Sequence, residues 1–224
     1  MELITTHKIR VEKKDIKNIT LKVKPTCEVI LTVPLNTDDK RIEYILKKRN
    51  DWINKKIDFF QLNNKIENKE YVSGESFKYL GKNYRLKVIQ SDIENVKLLR
   101  GYIQIFIKDK TDIKRKQKLL NSWYMNKAED YFEKIVEKYK PIIKKEVKNI
   151  RIRQMKTRWG SCNFLKGYIN LNSELIKKTK ESIEYVVFHE LAHLIYDNHS
   201  REFYNYLDTY MPDWRNRKLK LEIL

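Results

Sequence analysis

The residues best equipped for chemistry lie in one segment, His189-Glu190-Leu191-Ala192-His193, followed six residues later by His199. Three of the four histidines in the chain fall within these eleven residues. On a helix, positions i and i+4 differ by about 40° around the axis and about 6 Å along it, so His189 and His193 point the same way and can hold one ion between them. Glu190 turns toward the flank of that face, where a carboxylate reaches a metal-bound water without being a ligand. A tetrahedral site with one open position needs a third ligand, yet a straight helix would carry His199 about 9 Å beyond His193. The chain must therefore turn back at Asp197-Asn198, because Asn tolerates the left-handed conformation that ends helices. Ser200 then offers an N-cap for a following helix, fixing His199 at the junction. Glu202 is the less favoured third ligand, Cys162 beside Gly160-Ser161 is read as packing rather than as a soft ligand, and His7 stands alone near the N-terminus. Three imidazoles suit several transition metals.

The helix that must carry this group runs over about 181–196 and is apolar on nearly every side, which predicts a buried helix. Two imidazoles and a carboxylate buried without partners would cost on the order of 1–3 kcal/mol for each neutral group and more for the charge. An ion and its water would satisfy all three. Further helices are expected near 200–210 and 213–221, and the strands before them at Ile150–Met155 and Tyr168–Leu171, joined through a turn-like Arg158–Asn163. Upstream, Ile113, Leu120, Trp123, Phe132, Val136 and Tyr139 share one face of a long helix that stops or kinks near Pro141. The first part of the chain reads differently. Alternation at Ile19–Val23 and the run Val29–Val33 predict a small antiparallel sheet, then Thr37 caps a helix over about 38–62, and short strands follow at Phe77–Leu80, Tyr84–Val88 and Tyr102–Ile107. The change of period places a boundary after residue 108, giving a β-rich unit with one helix over 1–108 and a second domain over 109–224.

Composition narrows the classes of function. The 224 residues carry 48 Lys plus Arg against 30 Asp plus Glu, a net charge of +18, with 41% hydrophobic residues, enough for a packed core. The charge divides evenly between the two halves. Its densest stretch runs from Lys134 to Arg158, where ten basic residues face only Glu137 and Glu146; it is read either as a solvated face or as an attractor of nucleic acid or another polyanion. No apolar run is long enough for a membrane helix, and Cys27 and Cys162 are too few and too far apart for a disulfide framework. The expectation is a cytoplasmic protein with two free thiols and no membrane partner.

Four pieces, Arg158-Trp159-Gly160-Ser161-Cys162, Gly167-Tyr168-Ile169-Asn170-Leu171-Asn172, Tyr185 to His193, and Asn198-His199-Ser200 before Phe203, together resemble the YgjP-like metallopeptidases, within the zincin group that includes SprT-like proteins. Weaker similarity reaches upstream to Gly74-Glu75 and Tyr79–Leu86. The resemblance implies an α+β fold with a zincin-like C-terminal metallopeptidase domain behind the β-rich unit. It also implies one Zn²⁺ per chain on His189, His193 and His199, Glu190 as catalytic base, and a peptide or protein substrate. Tyr196 stands where the metzincin variant has glycine, so the turn must differ from the metzincin turn. Arg158 and Tyr196 are candidate contacts to the transition state or substrate by proximity in sequence. Two other readings keep the metal: hydrolysis of a nucleotide or other phosphoanhydride, or a nucleic-acid-associated module in which four protein ligands would close a structural zinc site.

Overall fold

In the computed structural model, residues 9–24, 26–64, 69–155 and 157–223 are described; His7 lies outside them. They form a mixed α+β structure with six α-helices, and no helix among them is long and apolar enough to cross a membrane. The chain divides into two compact units, 1–70 and 71–224.

In the first unit, β3 (Val29–Pro34) is central, with β2 (Thr20–Val23) antiparallel on one side and β1 (Ile9–Lys14) parallel on the other. The expected sheet was antiparallel only; β1 adds a parallel pair that its polar, lysine-rich sequence did not announce. Val29, Leu31 and Val33 alternate inward onto Ile42 and Leu46 of α1 (Asp39–Lys48) and Ile53 and Ile57 of α2 (Asn50–Asn64). The single helix expected over 38–62 is therefore two, interrupted at Arg49, whose N–H still bonds Ile45 O and Leu46 O. Asp38, not Thr37, is the N-cap, its carboxylate accepting the Arg41 N–H at 2.6 Å.

In the second unit, a four-stranded sheet is ordered β4 (Ser76–Tyr79), β5 (Lys82–Gln90), β7 (Tyr102–Ile107), β6 (Asn95–Leu99). Its inward residues, among them Leu86, Val96, Ile103 and Ile105, share one core with α3 (Ile113–Ile143) and with the elements that follow. This shared core explains why the units divide at Glu70/Tyr71 and not at the expected 108/109: the change of period marks a change of element, not of domain. Pro141 lies in the last turn of α3, which ends at Lys144 in the left-handed conformation. Several of the described basic residues of 134–158 are engaged by neighbouring side chains. Lys138 pairs with Glu184 and Lys140 with Glu137, while Arg151 lies over the Tyr168 ring.

A second, three-stranded sheet is ordered β8 (Asn149–Arg153), β10 (Tyr168–Asn172), β9 (Gly160–Asn163). β9 was expected as a turn; pairing with β10 holds it extended, with Cys162 opposite Ile169 and Gly160 opposite Leu171. A 3-10 turn (Ser173–Lys177) leads to α4 (Lys180–Ala192), capped by Thr179, then α5 (Arg201–Tyr210) and α6 (Trp214–Ile223). Most of α4 is buried, as its all-round apolar sequence requires. Glu184, in its second turn, meets Lys138 and the Tyr139 hydroxyl (3.0 Å) of α3 and Arg217 of α6. The carboxylate thus fastens three helices together.

Candidate metal centre

His189 and His193 stand one turn apart at the end of α4, with His193 at its C-cap still in the helical conformation. The chain then turns through 194–199, and Ser200 caps α5 by accepting the Phe203 N–H at 3.4 Å. The turn returns His199 to the first two histidines. Its Nε2 is 3.0 Å from that of His189 and 3.2 Å from that of His193. Among the described residues, these three form the group of side chains whose donor atoms converge closely enough to hold an ion. Neither Cys162 nor Glu202 joins it.

The convergence fits a metal. Burial, reinforced by the neighbouring imidazoles, pushes the pKa of His189 down to about 3, and burial also lowers that of His199, so both are neutral near pH 7. The Nδ1–H of His193 points at the Tyr196 carbonyl oxygen, 3.0 Å away, which leaves its Nε2 lone pair facing the other two. Three lone pairs this close cannot satisfy one another. A tetrahedral zinc ion bound at about 2.0–2.1 Å would separate its nitrogen ligands by roughly 3.3 Å, close to the spacing present. The Nδ1 of His189 is buried without a hydrogen-bond partner, so packing alone fixes that ring.

That packing centres on one residue that the spacing of histidines did not reveal. Phe203, fully buried on the first turn of α5, lies 5.0, 4.7 and 4.9 Å from the ring centroids of His189, His193 and His199. It forms a common floor under all three. Its only sequence signal was its position three residues after the Ser200 cap.

Glu190 faces the other wall. Burial pushes its pKa up to about 8, with Arg158 pulling the other way. β9 leans directly against it: a methyl group at Gly160 would lie 2.6 Å from Glu190 Cγ and Oε1. Cys162 is near enough for Glu190 to add to the effect of burial, which together push the thiol up to about 12, far from a thiolate ligand. Asn172, buried at the end of β10, donates to the carbonyls of Met155 (2.7 Å) and Arg158 (3.0 Å) and accepts from the Glu174 N–H (3.1 Å), shaping the loop that delivers Trp159 and Gly160. Trp159 packs against the core, with the Lys178 ammonium 5.1 Å from its ring.

These parts line an open cavity of about 570 Å³ formed by Arg158, Gly160, Ser161, Cys162, Phe164, the three histidines, Glu190, Asp197 and Asn198. Arg158 therefore reaches the cavity. Tyr196 does not; its ring packs against Tyr206 and Phe203, and its contribution is the carbonyl that orients His193.

A YgjP-like metallopeptidase domain matches the chain over residues 17–223. The chain belongs to the YgjP-like metallopeptidase family. The match spans both compact units, so the family's metallopeptidase domain takes in the first unit as well as the cavity. Two solved structures also match this YgjP-like chain over 40% of its length: the metallopeptidase zymogens abylysin from Pyrococcus abyssi (25% identity, TM-score 0.37, 90% of that chain) and jannalysin from Methanocaldococcus jannaschii (27% identity, TM-score 0.37, 92% of that chain). No curated protein sequence matches it.

Proposed function

We propose that the protein is a zinc peptidase of the HExxH…H type with a zincin-like catalytic domain, in which His189, His193 and His199 hold one ion and Glu190 is the catalytic base. The observation that carries this reading is the convergence of three imidazole Nε2 atoms beside a buried carboxyl group in an open cavity. A bound zinc ion supplies a positive charge that acidifies water and polarises a carbonyl oxygen. Glu190 takes the proton from the attacking water and returns it to the leaving amine; burial raises its affinity for a proton, and the positive charge of a bound ion would offset that rise and keep the carboxylate ionised before the step. Arg158 offers guanidinium donors to the substrate at the cavity wall. An extended peptide pairs with the outer edge of β9, unpaired in the sheet order, and thereby lies across the cavity. Among the described residues that line the cavity Arg158 is the single Lys or Arg, which favours a peptide over a polyphosphate as substrate. Cys27 and Cys162 are not joined in a disulfide, which fits a reducing, cytoplasmic setting.

The test combines metal analysis with hydrolysis of a peptide library followed by mass spectrometry. Wild-type and Glu190→Gln protein should each hold about one zinc per chain, His193→Ala should lose it, and only wild-type should cleave. Full zinc retention in His193→Ala would remove the ligand assignment. Undiminished cleavage by Glu190→Gln would remove the base.

A further inference from the structure

The four-stranded sheet has a second face. None of the residues in β4, β5, β6 and β7 is Asp or Glu. Residues opposite one another in register share a face, so the side turned away from α3 carries two rows across the sheet. One is Arg85, Tyr102 and Leu99; the other is Lys87, Gln104 and Lys97, in which the two lysines stand exposed on either side of a buried Gln104. Phe106, half-buried, follows two residues beyond Gln104 on the central strand, with the Lys97 ammonium 5.9 Å from its ring. Arg85, Lys87 and Lys97 are exposed, and among the described residues none of them forms an ion pair. Tyr102 is 42% exposed. Glu94, in the turn before β6, is held by Arg115 at 2.7 Å and so does not offset these charges.

We propose that this face binds single-stranded nucleic acid, the bases stacking on Tyr102 and Phe106 and the phosphates meeting Arg85, Lys87 and Lys97. Four residues along a strand separate the two rings by roughly 13 Å, a spacing for two bases of an extended chain rather than for one ring system. Every base presents a stackable face, and cations flanking aromatic platforms are the recognition chemistry of single strands. An acidic peptide finds the charge here but no groove, and pairing with the outer edge of β6 would leave unused the two rings, which stand on the central strand β7. A duplex keeps its bases stacked on one another and leaves the rings unused. This inference stands apart from the peptidase reading, because none of these residues lines the cavity.

Fluorescence anisotropy on the full chain, across a salt series, tests it with labelled oligo-uridine, oligo-thymidine, a duplex of equal length and phosphatidylserine vesicles. Both single strands should bind more tightly than the duplex. Lys87→Glu with Lys97→Glu should weaken single-strand binding at least about tenfold and flatten the log–log salt slope by about 1.4, roughly 0.7 for each phosphate no longer neutralised. Tyr102→Ala should weaken it about tenfold with the slope unchanged. Lys134→Glu with Lys145→Glu, of equal net charge on exposed sites elsewhere, should bind like wild-type. Thermal melts verify folding, and the milder Lys87→Gln with Lys97→Gln should fall between. The proposal fails if neither oligonucleotide binds, if the control pair weakens binding as much as the sheet pair, if the duplex binds as well as the single strands, or if only vesicles bind.

Discussion

Glycine at position 160 is what allows the Glu190 carboxylate to stand against β9. Alanine there would press a methyl group into the carboxylate at 2.6 Å, and Glu190 would have to swing away. Displacing a proton-transferring group by about 1 Å costs on the order of a hundredfold in rate. Gly160→Ala is therefore expected to cut kcat of peptide hydrolysis about a hundredfold while zinc content stays near that of wild-type; metal analysis beside steady-state kinetics checks both halves. Phe203 sets a different test. Phe203→Ala opens a cavity beneath three imidazoles, so a loss of about 3–5 kcal/mol in stability is expected, together with a marked fall in zinc affinity. Denaturant melts and a chelator competition measure the two effects, and retained affinity would show that the rings hold their places unaided. The gathering of His189, His193 and His199 was legible in the sequence, because it follows from local spacing and one turn. The parts played by Gly160, Phe203 and Asn172 were not, because each depends on a partner far along the chain or on a packing surface that no periodicity encodes.

Elements were legible where one face had a clear period. α3, α4, α5 and α6 follow their apolar patterns and caps, whereas β9, with the sequence Gly-Ser-Cys-Asn, has neither alternation nor strong strand formers. It is extended because β10 pairs with it. The break at Arg49 carried no Pro or Gly to announce it. Between the helices, Glu184 yields a prediction about pH. Burial alone would raise its pKa, but hydrogen bonds from Lys138, Arg217 and the Tyr139 hydroxyl outweigh it and hold the carboxyl below the usual range. A folded-state pKa below the unfolded one means that the stabilisation is fully present above the ordinary carboxylate range and is lost as pH falls through the depressed value. The acid limb of Tm against pH should therefore be shallower in Glu184→Gln than in wild-type. Parallel limbs would mean that Glu184 contributes nothing to acid unfolding.

At the scale of the molecule, the two hydrophobic cores share no residue: one is built from residues of 9–57 and the other from residues after 70. Residues 71–224 expressed alone should accordingly melt cooperatively and take up zinc as the full chain does, which calorimetry and metal analysis would show. A fragment that fails to fold would mean that the second core is incomplete without the first unit. Charge was the feature hardest to read in one dimension. Counting along the sequence drew attention to 134–158, where Lys138 and Lys140 are taken up in ion pairs, Arg151 in a ring contact and Arg158 in the cavity wall. The acid-free face of the four-stranded sheet is spread over alternate positions of separate strands, so no linear window contains it.

The order in which the parts are synthesised follows from where they lie. The three imidazoles and the Phe203 ring beneath them span residues 189–203, downstream of all three sheets and of α3. A chain growing from its N-terminus completes the strands that aim Glu190 before the histidines can close over Phe203. While the chain is still on the ribosome and has not reached α5, the three imidazoles have no Phe203 ring to pack against, so on the proposed reading neither its own unfolded segments nor neighbouring nascent proteins meet a finished site.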